Sequence, residues 1–170
     1  KVFFLLFLVG GFQTGFSQEN FLPGYVIRQG DTLRGFIDYR NWKKNPDIIT
    51  FKEHVNDEPV EFKPLDIEMF SVGDELYESA IVQTDISAPA AGSLASESGP
   101  QPQLETDTTF LQTLIKGEKS LYYYVNKVGN DQFYIRSDSS YVLLIYRRYA
   151  LFVQGRKGII ENNLYLGQLT

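Results

Sequence analysis

The sequence has no cysteine, one histidine and one methionine among its 170 residues. Without cysteine it can form no disulfide and offers no thiolate to a metal or to covalent catalysis. The lone His54 stands in a polar turn, Lys52-Glu53-His54-Val55-Asn56, and has no second histidine to complete a usual zinc set. Any Ser-His-Asp triad would have to use this same His54. Ser139 and Ser140 follow Asp138 in an expected hairpin loop rather than in a strained strand-to-helix elbow. Basic residues are also scarce: 16 Lys and Arg stand against 21 Asp and Glu, a net charge of −5. Phosphate backbones and anionic membrane surfaces are held by basic faces, so neither nucleic acid nor such a membrane is an expected partner. There is no nucleotide-binding loop and no Asp-x-Asp-x-Asp calcium loop. The sequence thus identifies no catalytic residue, no metal site and no cofactor, and the expected function is non-enzymatic.

What is present is apolar and aromatic. Hydrophobic residues make up 43% of the chain and charged ones 22%, a balance that suits a folded domain. The 13 Phe and 11 Tyr favour strands, whose pleated, half-buried surface accommodates flat side chains.

The N-terminus reads as an export signal over residues 1–17. Lys1 is basic, Val2 to Val9 is an unbroken apolar run, and Gly15-Phe16-Ser17 places small residues at the two positions a signal peptidase inspects. The run is shorter than the ~20 helical residues that span a bilayer. A lipoprotein signal is not expected, because its lipid is attached to a cysteine. Cleavage after Ser17 would leave Gln18 first. The chain opens on Lys1 and stops at Thr170 inside an apolar pattern, so we expect it to be a segment of a longer protein.

The remainder predicts a mainly β fold: antiparallel hairpins and a meander in one β-rich domain carrying a flexible insertion, after the N-terminal signal helix. A first β segment covers 18–84 and a second covers 109–170. Gly24 to Arg28 and Thr32 to Arg40 flank a turn at Gln29-Gly30-Asp31. On the return strand Leu33, Ile37 and Tyr39 share one face and Arg34, Asp38 and Arg40 the other, with Phe36 as an exception. Further apolar runs around Ile49, Val60, Ile67 and Leu76, then Leu121–Val125, Phe133–Arg136, Tyr141–Tyr149 and Phe152–Ile160, alternate with turn signals. Asn163–Leu169 has the character of a starting helix. Between the segments, 85–108 is rich in Ser, Ala, Pro and acidic residues and buries too little to offset its ordering entropy. This stretch is expected to be a mobile linker, cut first by proteases and tolerant of deletion. The alternation predicts Leu33, Ile37, Phe51, Phe62, Leu121, Tyr123, Phe133 and Ile135 inside. It places Arg34, Asp38, Lys52 and Lys63 outside or in surface pairs.

Two groups of residues are candidates for binding. Tyr39 and Trp42, with Tyr122 and Tyr124 of the Tyr122-Tyr123-Tyr124 run, would suit a platform stacking on sugar or peptide, although the same residues also suit a β core. The acidic residues Asp66, Glu68, Asp74, Glu75, Glu78 and Asp85 would have to supply the carboxylate pair of a glycosidase or a calcium site, yet they lack the spacing of either.

Tyr25 to Leu33 resembles the opening of a LysM peptidoglycan-binding module over nine residues. That module continues into a helix, whereas Arg34-Gly35-Phe36-Ile37-Asp38-Tyr39 has strand character. A longer resemblance joins Gly24-Tyr25-Val26-Ile27, Gly30 to Trp42, Asn45-Pro46, Ile49-Thr50-Phe51, Gly117 to Tyr124 and Asn163 to Leu169. In these stretches the chain resembles an uncharacterised family of exported Bacteroidetes-type envelope proteins, some of which continue into an outer-membrane β-barrel. The resemblance implies a periplasmic or outer-membrane-associated location and a soluble region that can precede a barrel. The expected role is that of an accessory or interaction domain, with an envelope protein, an outer-membrane barrel or a glycan as partner. Alternatives are a glycan- or peptidoglycan-binding module and an envelope hydrolase acting through the acidic residues.

Overall fold

The computed structural model describes residues 20–87, 101–154 and 156–169. The expected signal at 1–17 and the centre of the expected linker, 88–100, lie outside them. The described chain is β throughout: β1 (Phe21–Arg28), β2 (Asp31–Asp38), β3 (Ile49–Lys52), β4 (Val60–Phe62), β5 (Met69–Val72), β6 (Glu75–Asp85), β7 (Leu104–Ile115), β8 (Leu121–Val125), β9 (Asp131–Ser137), β10 (Ser140–Leu143), β11 (Arg147–Val153) and β12 (Arg156–Asn162), with a single helical turn α1 (Tyr165–Gln168). Ten strands form one antiparallel sheet in the order β10-β9-β8-β7-β6-β5-β1-β2-β3-β4, and β11 and β12 pair separately. The first expected β segment and the second as far as β10 therefore share one sheet, while β11 and β12 of the second form their own.

The first hairpin follows its turn chemistry. Gln29 and Gly30 take φ of 53° and 81°, the positive values a two-residue type I′ turn requires. The Gly30 amide also donates to the Glu68 carboxylate at 2.8 Å, which holds the turn against the neighbouring strand. Within the hairpin Gly24 faces Gly35. A Cβ on Gly24 would come within 2.4 Å of the Ser71 carbonyl oxygen, and one on Gly35 within 2.1 Å of that of Lys52. Both obstacles are backbone, so the pair lets β1 and β2 lie close to β5 and β3. Gly35→Ala is accordingly expected to cost about 1–3 kcal/mol through overpacking. A urea melt reads it, and an unchanged midpoint would contradict the close approach.

The sheet has two cores, on opposite faces of the β6–β7 pair. The first collects Val26, Ile37, Ile49, Phe51, Phe62, Phe70 and Val72 with Tyr77 and Phe110. The second collects Ala80, Val82, Leu111, Tyr122, Tyr124, Tyr134 and Leu143. Alternation along β6 explains the division: Tyr77 points one way, and Glu78, Ala80, Val82 and Thr84 the other. The sheet curls until β10 returns against β6 and closes the second core.

The β2–β3 connection crosses to the far half of the sheet. Its Trp42 packs edge-on against Phe70 and Tyr77, with ring centroids 5.9 Å away in each case. Its Asn45 donates to the carbonyls of Phe110 (2.8 Å) and Tyr123 (3.0 Å) and accepts from the Val125 amide (3.0 Å). The β7–β8 ladder ends at Gln112↔Tyr123, so this carboxamide takes the place of the next rung.

Several expectations need correction. Of the eight residues placed inside, Ile37, Phe51, Phe62 and Ile135 are buried, and Leu33, Leu121 and Tyr123 are half-buried. Phe133 is 41% exposed. On β8 and β9 the interior side belongs to Tyr122, Tyr124, Gln132 and Tyr134, one residue out of step with the expectation. Arg34 and Lys63 are exposed as expected. Asp38 is buried, accepting from the Asn20 amide at 2.9 Å and pairing with Arg40 at 2.7 Å. The expected linker is shorter at its C-terminal end, because residues 104–108 belong to β7 and pair with 81–85 of β6. Tyr141–Tyr149 is not one strand: β10 stops at Leu143 and β11 starts at Arg147 in the second sheet.

Candidate functional site

Where β6 passes from the first core to the second, a cleft of about 690 Å³ opens at the surface. Its floor is Glu78, the first residue of the β6 run that faces the second core. Glu78 is only 6% exposed. Its carboxylate accepts from the Tyr141 hydroxyl (2.8 Å), from the Tyr122 hydroxyl (3.3 and 3.4 Å to its two oxygens) and from Arg136 Nη1 (3.1 Å). These donors arrive from β8, β9 and β10, and Arg136 and Tyr141 are direct cross-strand partners. The Arg136 guanidinium lies over the Tyr141 ring, 5.6 Å from its centroid, and the Tyr141 and Tyr122 rings meet edge to face at 5.0 Å. Burial, then the Glu78 carboxylate, push both phenols above their ordinary range, so they remain protonated donors at neutral pH. Tyr122, then Tyr141 and Glu78, push the Arg136 guanidinium further above its ordinary range.

The opposite wall comes from the end of β1 and the segment entering β5: Arg28, Gln29 and residues 65–69. That segment is tied down by the Glu68 amide donating to Ile27 O (2.7 Å) and by the Ser79 hydroxyl donating to Ile67 O (2.5 Å). Lys63 to Asp66 form a turn closed by the Asp66 amide on Lys63 O at 3.1 Å. Leu65 occupies the position where such a turn favours glycine, with φ of 76°. A branched, 59% exposed side chain is thus held at the cleft rim in a strained backbone conformation.

The acidic residues separate into three places. Asp66, Glu68 and Glu78 line the cleft. Asp74 is exposed in a turn, while Glu75 accepts from Tyr39 (3.1 Å) and Tyr77 (2.9 Å) on the other face of the sheet. Asp85 belongs to a buried polar network in which Thr84 and Tyr134 both donate to Gln132, and Asn126 and Gln132 donate to the Asp85 carbonyl. Buried Arg147 of β11 reaches the same network through Ser87 (3.0 Å) and Asp85 (3.6 Å). Among the described residues no group of three or more metal-ligating side chains gathers.

The four aromatic candidates do not form a platform. Tyr39 and Trp42 touch edge-on at 5.1 Å and pack on the first core. Tyr122 and Tyr124 are 2% and 7% exposed inside the second. Their hydroxyls find partners in the interior, in Glu78 and Asp107, which is why these polar-tipped rings face inward. His54 is a surface residue bonded to Asp57 at 2.9 Å. The cleft residues Arg28, Arg136 and Tyr141 carried one legible signal: Arg136 shares a face with Tyr134 along β9. A charged residue on an interior face marks a site only once the register is known. A second depression of about 770 Å³ is apolar and lies between Phe133, Leu121 and Ile135 of the sheet and Tyr146, Tyr165 and Leu169 of the C-terminal region.

The phenols give the fold a high-pH limit. Tyr77, Tyr124 and Tyr134 are raised chiefly by burial, and Tyr123 is pushed up to about 12 by its bond to Asp131. In the unfolded chain they titrate near ~10. The stability tied to their protonation is complete below that pH and is lost as the pH climbs through the folded values. Melting temperatures are expected to hold from about pH 8 to pH 9.5 and to fall steeply above pH ~10. An equal melting temperature at about pH 11.5 would contradict the protected phenols.

Comparison with family models, curated proteins and solved structures finds no match for this chain.

Proposed function

We propose that this chain is an exported, non-catalytic accessory domain of the cell envelope, which binds its ligand in the cleft above Glu78. The observation that carries the reading is how the cleft's charges are used. The buried carboxylate of the cleft, Glu78, is already engaged by two phenols and Arg136, and the exposed Asp66 and Glu68 each accept one backbone amide. A buried general acid or base needs a carboxyl free to exchange its proton with substrate, which Glu78 is not. Arg136, by contrast, is about half exposed beside the open cleft and presents a charged donor suited to recognition. A hydrolase has less support, because Asp74, Glu75 and Asp85 lie elsewhere. The envelope location rests on the apolar run Val2–Val9 and on the family resemblance. In that setting the domain would serve beside, or ahead of, an outer-membrane barrel.

Two measurements test the reading. Residues 1–17 should direct export of a reporter active only outside the cytoplasm, and N-terminal sequencing should find Gln18 first. Retention of Val2–Val9 in the mature chain would remove the export signal. Soluble fragments of digested peptidoglycan should shift amide resonances at Ile67, Ser79 and Arg136 and be recovered chemically unchanged. Turnover of the fragments, or shifts confined to other surfaces, would overturn the proposal.

A further inference from the structure

We infer that the apolar depression on the outer face of β8 and β9 is a second binding site, built for a single hydrocarbon chain whose anionic head is received by Lys119. It lies on the other face of these strands from Tyr122, Tyr134 and Arg136, and it does not depend on the reading of the Glu78 cleft.

Period-two alternation sets the floor. With Tyr122, Tyr124 and Tyr134 turned to the second core, Leu121, Phe133 and Ile135 face the other way. Leu121 and Ile135 are direct cross-strand partners. Ile135 is nonetheless only 6% exposed, because the C-terminal turn and the segment leaving β10 cover it. The Gln168 side chain donates to Leu143 O (2.8 Å) and accepts from the Ile145 amide (3.0 Å), and the Tyr165 amide donates to Ile145 O (3.0 Å). Lys119 Nζ donates to Leu169 O at 2.8 Å. The turn is thus clasped to β10 and to the approach to β8, and about 770 Å³ remains between it and the sheet.

Charge and hydrogen bonding choose the occupant. Lys119 and Glu161 are the charged residues of the lining. Glu161 pairs with Arg148, its cross-strand partner, at 3.4 Å. Exposed Lys119 meets only the neutral Leu169 carbonyl among the described residues, so the site keeps one uncompensated positive charge. The floor offers a ligand no main-chain partners, since β8 and β9 pair with each other and with β7 and β10. A peptide laid across it would bury its own amides and carbonyls unpaired, which is costly. A hydrocarbon chain has no such groups and gains by covering Phe133, Tyr146 and Leu169, which are 41%, 52% and 43% exposed. The volume is that of a small-molecule site and suits a chain of roughly ten to fourteen carbons.

Decanoate, decanamide, decyltrimethylammonium and butanoate, each below its micelle concentration, test this on the full chain through amide chemical shifts. Decanoate should move Leu121, Phe133, Ile135 and Leu144 and leave Glu78 and Ser79 in place. Decanamide and the ammonium should bind at least fivefold more weakly, and butanoate not measurably. Lys119→Gln should weaken decanoate about fivefold and leave decanamide unchanged, whereas a merely structural role for Lys119 would weaken both alike. Phe133→Ser, at an exposed position, should weaken every ten-carbon probe at least tenfold. Equal affinity for anionic and cationic heads would overturn the role of Lys119, and equal affinity for butanoate would overturn the chain. Decanoate shifts confined to other surfaces would overturn the site. So would a dimer that protects Phe133 in a protein that binds no decanoate, because the face would then belong to a second copy.

Discussion

Asn45→Ala is expected to lower the unfolding free energy by about 2–4 kcal/mol, far more than its half-buried place in a connecting loop suggests. The carboxamide makes three bonds to the backbones of β7 and β8, at 2.8, 3.0 and 3.0 Å. Alanine would leave two carbonyls and one amide without their partner at the point where the β7–β8 ladder stops. Each buried group so stranded costs ~1–3 kcal/mol, and partial access of water sets the lower end of the range. Asn45→Asp should be at least as harmful, because it replaces the donating nitrogen with an oxygen facing two carbonyl oxygens. Urea melts measure the loss, and hydrogen exchange at the Val125 amide should accelerate in the folded state. A change below about 0.5 kcal/mol, the range of ordinary surface substitutions, would mean that the loop does not clasp the sheet.

Ile37→Ala should cost about 2–5 kcal/mol, the transfer energy of the lost methyl groups plus a cavity. Ile37 is fully buried and pairs across strands with Phe51. Phe133→Ala should cost only about 1 kcal/mol, because its ring is 41% exposed and contributes chiefly a cross-strand contact to Tyr123 at 5.4 Å. Arg34→Ala should stay within about 0.5 kcal/mol. Alternation alone predicts equal losses at Ile37 and Phe133, so melts of the three variants discriminate between the two registers. A loss at Phe133 equal to that at Ile37 would mean that something covers the outer face of β8 and β9 in solution.

That contrast locates what the sequence made legible. The β class, the first hairpin and the inward residues of β2, β3 and β4 follow from turn chemistry and period-two patterning, because those strands give the first core only aliphatic and Phe side chains. The second core is built differently. Tyr122, Tyr124 and Tyr134 bury their rings while Glu78, Asp107, Gln132 and the Gln83 carbonyl receive the hydroxyls. Hydropathy therefore points the wrong way on β9, where Gln132 is buried and Phe133 is exposed. Residues 104–108, Leu-Glu-Thr-Asp-Thr, read as linker because their solvent face is polar. They are held by pairing with 81–85, which no local pattern reveals. The cleft was illegible for a related reason. Arg28, Leu65, Glu78 and Arg136 come from distant parts of the chain, and only the curl of the sheet brings them together.

The placement of β6 and β7 bears on how the molecule melts. A strand pair with a core on each side has no face that can be released separately: opening the first core exposes Tyr77 and Phe110, and opening the second exposes Ala80, Val82 and Leu111 of the same two strands. Partial unfolding of either half would strip the shared wall that the other half needs. The two halves should then lose structure in one calorimetric transition, with van't Hoff and calorimetric enthalpies equal. Exchange at the β6 and β7 amides should report the global free energy of unfolding, above the values for the sheet's outer strands β4 and β10.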